Sequence, residues 1–345
     1  MECDFCFEDS VFSETRERTS QRGLSYPARQ CEPRWFIANV NQDDLLEAHT
    51  VLKFRADLSY RQEDYAKAFT VYSDCYALIP LANNAMRRDV QESQARCLIR
   101  LGRHKEALEI AELLAEGVSN TDHLTGVLNL QATVHHHLGN LQQEMSCLQQ
   151  LISLHPFNPQ FWICLAESYM RLFLSIANCK HPSNNSDRFS LWAQTPNVHD
   201  IARARDPTVS RDDNSVLGPC NRSDSSSLMD DTSREQLWTW SCACFIRARL
   251  LLRLLQPQQA SFVLENSMKT QEQIEKLLEK LGLLEEQTTL IVEVMGEDLL
   301  AERTKEEGQT DTKTTQTLTS FIMPSDAEFK VRWFQKMTTI LMANK

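Results

Sequence analysis

Glycine and proline are scarce in this sequence. Its 345 residues include 9 glycines and 11 prolines, where average usage would give about 24 and about 17. Glycine supplies the positive φ angles that tight β-hairpin turns require. A sandwich or barrel of many short strands is therefore disfavoured, and collagen-like or glycine-rich low-complexity chains are excluded. The shortage predicts a mainly helical protein.

Long apolar runs are also missing. A membrane-spanning helix needs about 18 or more apolar residues, and the most apolar stretch, residues 244–255, is interrupted by Arg247, Arg249 and Arg253. The first residues lack the basic and apolar regions of a secretion signal. The 11 cysteines are scattered rather than arranged as a disulfide framework. We therefore expect no membrane contact, reduced thiols and a cytoplasmic and/or nuclear location.

Charge and motifs exclude several kinds of ligand. Lysine and arginine number 36 against 47 acidic residues, a net charge of −11. This negative charge disfavours binding to a nucleic acid, whose phosphates it repels. No phosphate-binding loop, nucleophile elbow or zinc-protease motif occurs. Cys3 and Cys6 have zinc-like spacing but no second pair, and consecutive helical histidines such as His135–His137 point about 100° apart. We expect no enzyme activity, metal, cofactor or small-molecule substrate.

Residues 45–177 show an internal repeat of helical hairpins. The aligned small residues Ala56, Ala95, Ala132 and Ala166 are 39, 37 and 34 positions apart. In this they resemble the tetratricopeptide family, whose period is about 34 residues. The resemblance implies an all-α fold, an α-solenoid in which the first helix of each hairpin lines a groove. The repeat is degenerate, since Glu144 stands where a small residue is expected, and a non-repetitive helical bundle is the alternative.

Composition divides the chain into six segments. The most polar of them is rich in serine, aspartate and asparagine, a composition that cannot bury enough apolar surface to fold. In order, we predict an irregular N-terminal arm (1–44), the tetratricopeptide-like repeats (45–177), a disordered insertion (178–232), C-terminal helices completing the array (233–300), a linker (301–324) and a terminal helix (325–345).

A second resemblance covers both folded blocks. Segments such as Arg88–Glu92, Gln94–Leu98 and Glu293–Asp298 are similar to an uncharacterised family of vertebrate proteins. This resemblance implies the same helical fold and brings no known catalytic or binding residues.

The predicted groove carries one basic residue per repeat. Position 13 of each repeat, counted with the aligned alanine as position 8, is Arg61, Arg100, His137 or Arg171. Such a row could bind an acidic peptide. Acidic neighbours four residues away, in the pairs Asp57–Arg61, Glu92–Arg96 and Glu167–Arg171, would partly neutralise it. The predicted groove residues are Lys53, Arg61, Arg96, Arg100, Asn129, His136, His137, Glu167 and Arg171.

The sequence thus predicts a non-enzymatic protein–protein interaction adaptor whose helical-repeat groove binds a peptide or a partner helix. The alternative is a structural subunit of a larger complex, stable only with its partner. Its interface would be the leucine-rich C-terminal helices together with Trp333 and Phe334. Nothing in the sequence identifies the partner protein.

Overall fold

The computed structural model describes residues 35–37, 45–180, 231–305 and 323–343, and within these ranges it contains eleven α-helices and no strand. The helices are α1 (Leu45–Arg61), α2 (Tyr65–Leu78), α3 (Asn84–Arg100), α4 (His104–Glu116), α5 (Thr121–Leu138), α6 (Leu141–Leu154), α7 (Pro159–Lys180), α8 (Asp231–Leu255), α9 (Ser261–Leu281), α10 (Glu285–Lys305) and α11 (Asp326–Ala343). Two single 3₁₀ turns, Trp35–Ile37 and Gln256–Gln258, accompany them. The all-α fold class is confirmed.

Several sequence predictions lie outside the described residues. They are those for most of the arm (1–44), the insertion (178–232) and the linker (301–324), together with the Cys3 and Cys6 pair.

Consecutive helices pack against each other from α1 to α8, as an α-solenoid requires. Asp64, Asn83 and Asn120 begin α2, α3 and α5, and each side chain accepts a hydrogen bond from the backbone N–H three residues later. The pairs α1/α2, α3/α4 and α5/α6 form three hairpins. A fourth, α7/α8, is formed by helices on either side of residues 181–230 and has the most extensive contact of all.

The aligned alanines lie in the apolar contacts between helices. Ala56, Ala95, Ala132 and Ala166 are all buried, each within an apolar cluster shared by neighbouring hairpins. A larger side chain at these positions would push the helices apart. The alanine spacing in the sequence therefore marks the packing repeat.

The C-terminal half closes the array with an aromatic core. The six rings of Trp162, Tyr169, Trp240, Phe329, Trp333 and Phe334 pack together, with centroids 4.9–6.2 Å apart. They come from α7, α8 and α11. Trp333 and Phe334, considered above as an interface with another protein, are buried inside this chain. That prediction was wrong, because both rings face α7 and α8 rather than solvent.

Candidate partner-binding surface

The predicted groove residues fall into two sets with different surroundings. One set lies on the exposed side of α1, α3 and α5, which we call the first-helix face and define by Lys53, Phe54, Arg96 and Asn129. The other set lies where each hairpin meets the one before it, a contact that we call a seam. The two surfaces differ in the side chains that they present to a ligand.

Lys53 ties the first two hairpins together on the first-helix face. Its Nζ lies 3.3 Å from an Asp57 carboxylate oxygen on the same helix and 3.1 Å from an Asp89 oxygen on α3. Burial alone would lower the pKa of Lys53, but the two carboxylates outweigh it and raise the pKa. Asp57 also accepts a hydrogen bond of 2.6 Å from the Tyr72 hydroxyl. Lys53 is therefore charged and already partnered.

Further along the face, the charges are again paired within the protein. Arg96 is exposed and lies 2.5 Å from Glu92, the pair predicted from their spacing. The Glu92 carboxylate in turn lies 3.9 Å from the position that a Cβ at Gly126 would occupy, so α3 and α5 are neighbours. Asn129 on α5 is exposed. The face thus has mixed charge, with polar groups accessible to a ligand.

The first described seam contains Arg100, where α3 meets the start of α2. Its Nη2 donates a hydrogen bond of 2.9 Å to the Tyr65 hydroxyl, and the guanidinium lies 5.1 Å from the centre of the same ring. A cation over an aromatic face is stabilising by roughly 0.5–2 kcal/mol, depending on solvent access. Arg100 therefore holds two hairpins together.

The second seam is formed by histidines. The His137 ring stacks on that of His104, the first residue of α4, with centroids 5.0 Å apart and planes 4° from parallel. His136 points elsewhere, and its Nδ1 lies 3.0 Å from Glu144 Oε1. Burial lowers the pKa of His104 and of His135. The histidine run therefore serves packing between hairpins, each ring having its own surroundings.

Glu144 makes the polar contacts of the third seam. This side chain is 3% exposed, and its carboxylate contacts Arg171 and accepts a hydrogen bond of 2.8 Å from Ser168 on α7. Burial alone would raise its pKa, but the His136 hydrogen bond and the Arg171 charge lower it overall. Glu144 is therefore a buried anion that joins α5, α6 and α7.

In the sequence, Glu144 stands out only as a departure from the small-residue pattern. An acidic side chain at a helix–helix contact requires a basic partner nearby, and this was the available clue to its role. The partner is Arg171, which its spacing in the sequence pairs instead with Glu167 on its own helix. Glu167 is only 6% exposed, because α7 is enclosed over residues 161–170, so it does not line an open groove.

The described residues include metal-ligating side chains and free, buried thiols. No three metal-ligating side chains cluster among them. Burial raises the pKa of the Cys75 and Cys147 thiols to about 11 and that of Cys97 to about 12, so these thiols are protonated and unreactive. Over the same ranges, the structure contains no helix long and apolar enough to span a bilayer.

Comparison with known proteins places the chain in a family. The model of a family of unknown function, DUF5588, matches residues 3–344. The human "Uncharacterized protein C8orf76" is 40% identical, and its rat homologue 36%, each match covering 96% of this chain and 92% of the relative. No solved structure matches. These matches do not confirm the tetratricopeptide resemblance, which stays a prediction, but with the family model covering nearly the whole sequence, the chain belongs to the DUF5588 family.

Proposed function

We propose that this protein is a non-enzymatic adaptor that binds a peptide or a helix of another protein on the first-helix face. The observation that carries the proposal is the side-by-side arrangement of α1, α3 and α5 with accessible side chains. Arg96 and Asn129 are exposed, and Phe54 is 44% exposed. An array of helical hairpins that presents one helix per repeat gives an extended surface for a partner.

The chemistry of the face defines the ligand. Ion pairs such as Lys53–Asp89 and Glu92–Arg96 compensate most of its charge. Long-range electrostatic attraction of a ligand to this face is therefore weak. Apolar contact with Phe54 and hydrogen bonds to Arg96 and Asn129 would supply the affinity. An acidic peptide would bind this face through Arg96, its exposed arginine.

A charge-reversal pair tests the adaptor function. Partners would be identified by affinity purification and mass spectrometry, and the binding of a purified partner then measured by calorimetry. We expect Arg96→Glu to weaken binding at least tenfold, whereas Lys105→Glu, an exposed position on α4, serves as the control and should leave it unchanged. Equal binding by both variants would count against this face.

The second candidate is a structural subunit of a larger complex. It is favoured by large apolar side chains that remain exposed outside the first-helix face: Leu81, Phe262 and Leu284. Solution behaviour separates the two functions. A purified monomer that melts cooperatively supports the adaptor, whereas a chain that is insoluble without its partner supports the subunit.

We also propose a cytoplasmic and/or nuclear location. Its support is the set of buried free thiols, which suits a reducing compartment. Imaging of the endogenous protein with an antibody is the test, and a secretory location would contradict it.

A further inference from the structure

Each seam uses the same two positions of a first helix, seven residues apart. The second of them contacts the first turn of the preceding second helix: Arg100 meets Tyr65, His137 meets His104, and Arg171 meets Glu144. The partners share one property, a phenol, imidazole or carboxylate in the first turn of a helix. The positions in contact are therefore the same in each seam, while the side-chain types that occupy them differ.

The first of the two positions is Ser93 in the first seam, where it is polar and half-buried. In the second and third seams it is apolar and buried. Leu130 on α5 shares an apolar cluster with Ala111 on α4, and Cys164 on α7 shares one with Leu151 on α6. Ala111 and Leu151 each come seven residues after the first-turn partners described above. At the second and third seams, the helix packed against the first helix therefore carries a polar group in its first turn and an apolar side chain two turns later.

The first hairpin has these two positions, and among the described residues only the 3₁₀ turn Trp35–Ile37 precedes it. They are Phe54 and Arg61, about 10 Å apart along α1 by helical rise. Phe54 is 44% exposed. The Arg61 side chain is exposed and makes no hydrogen bond or ion pair with the described part of the chain. In later hairpins the equivalents of Phe54 at Leu130 and Cys164 are buried, and the equivalents of Arg61 each contact the preceding second helix.

The 3₁₀ turn Trp35–Ile37 extends the apolar part of this end. Phe36 stacks on Phe54 with centroids 5.6 Å apart, and Trp35 meets Phe54 edge-on at 6.0 Å. Arg55 fixes the turn, because its Nε donates a hydrogen bond of 2.6 Å to the Phe36 carbonyl. Trp35 and Ile37 remain exposed, so the turn widens the patch instead of closing it.

We infer that this end of the array is a docking site for a helix of another protein. The helix would run antiparallel to α1, present a carboxylate to Arg61 from its first turn, and place an apolar side chain on Phe54 seven residues later. The inference rests on the proposed adaptor function only in taking the ligand to be a protein. It shares Phe54 with that proposal but depends on Arg61 at the end of the array, whereas that proposal depends on Arg96 and Asn129.

A peptide taken from the chain itself tests the inference. The probe is a fluorescent peptide of residues 141–154, stapled on the side away from Glu144 and Leu151, because so short a helix is marginal alone. Its matched control has glutamine at position 144. By fluorescence anisotropy with the full-length protein, we expect the glutamate peptide to bind about tenfold more tightly, as is typical of an arginine–carboxylate hydrogen bond.

Variants of the protein assign the effect to this end. Arg61→Glu should abolish the difference between the two peptides, while Lys105→Glu should preserve it, circular dichroism showing that both remain folded. Arg96→Glu on the first-helix face should leave peptide binding unchanged, so failure here is distinguishable from failure of the adaptor proposal. Equal binding of the two peptides to the wild-type protein would overturn the inference.

Photocrosslinking identifies the occupant. With p-benzoylphenylalanine in place of Phe54, irradiation should couple the full-length protein to the glutamate peptide. Coupling instead to a second copy, seen as a covalent dimer, would make the site a self-association surface and overturn the inference. Coupling to residues 1–34 of the same chain would overturn it as well, by showing that the site is filled internally.

Discussion

At the scale of single residues, the most demanding feature is the buried guanidinium of Arg247. Its side chain is fully buried, and it contacts both carboxylate oxygens of Asp298 and donates to the Met295 carbonyl at 2.5 Å. The Trp162 and Trp333 rings lie 5.9 and 5.3 Å from its central carbon. A buried cation is tolerable only with such partners, because its desolvation costs several kcal/mol. Arg247 therefore fixes α10 and the aromatic core to α8.

Removing the carboxylate tests this account. Asp298→Ala leaves Arg247 without its anion, and we expect the free energy of unfolding to fall by about 3 kcal/mol. Urea unfolding followed by circular dichroism gives the measurement. The double variant Arg247→Met with Asp298→Ala should lose less than the sum of the single variants, since no unpaired cation remains. Arg253→Met, at an exposed position, is the control. A loss below about 0.5 kcal/mol in Asp298→Ala would contradict the account.

Glu144 gives stability a defined pH dependence. Its pKa in the folded protein is below the ordinary value, so its contribution is present above the unfolded value of about 4.3 and is lost as pH falls through the folded pKa. We expect Glu144→Gln to be clearly less stable than wild type at pH 7 and nearly equal to it at pH 3. Urea midpoints at pH 7, 5 and 3 measure this, with the exposed Glu112→Gln as control. A gap that stayed constant with pH would refute the prediction.

At the scale of elements, one turn recurs between the two helices of the first three hairpins. Glu63, Gly102 and Gly139 all have φ near +70°, and the N–H of each bonds the carbonyl three residues back, at 3.0–3.1 Å. The next N–H reaches the carbonyl five residues back, 2.9–3.0 Å away. This is the hydrogen-bond pattern of a Schellman helix end, in which glycine is the preferred residue. The first hairpin fills the position with a glutamate.

Substitutions at this turn should therefore have opposite signs. Gly102→Ala places a Cβ in the left-handed region and should destabilise the protein by about 1 kcal/mol. Glu63→Gly relieves the same strain and should stabilise it by up to about 1 kcal/mol. Thermal melts compare the two. Gly117→Ala is the control, because φ there is −94°. A destabilised Glu63→Gly variant would show that the side chain of Glu63 is needed at this end of α1.

The helical periodicity and the alanine spacing were enough to predict these hairpins. The sequence could not show that Glu63 has the same turn conformation as Gly102 and Gly139, because glutamate rarely adopts a positive φ. Contacts between hairpins could not be predicted from the sequence either. Arg171 pairs with Glu144 across 27 residues, while periodicity reports only neighbours three or four residues apart on one helix. Local pattern therefore predicted the elements, and tertiary packing decided which groove residues stay accessible.

At the scale of the whole molecule, the two ends of the array differ. The C-terminal end is closed, since α11 buries Phe329 and Met337 and is tied to α6 by the 2.7 Å hydrogen bond from Gln149 to Asp326. The N-terminal end leaves Phe54 and Arg61 accessible. A solenoid needs its terminal faces covered or polar to stay soluble. This asymmetry supports the proposal that a partner binds at the first hairpins, while the second half contributes the larger buried core.

The fourth hairpin, finally, should not need the residues between its two helices. Because α7 and α8 pack directly and most extensively on each other, their pairing is set by side chains such as Ser241, whose hydroxyl donates to the Ala166 carbonyl at 2.8 Å. We expect replacement of residues 184–227 with a glycine–serine linker of about eight residues to keep the fold and raise the free energy of unfolding by ~1–2 kcal/mol, since a shorter loop costs less entropy to close. Urea unfolding measures this. Lost helicity or insolubility would show that residues 184–227 contribute to the folded core, because the loop-closure cost alone can only fall.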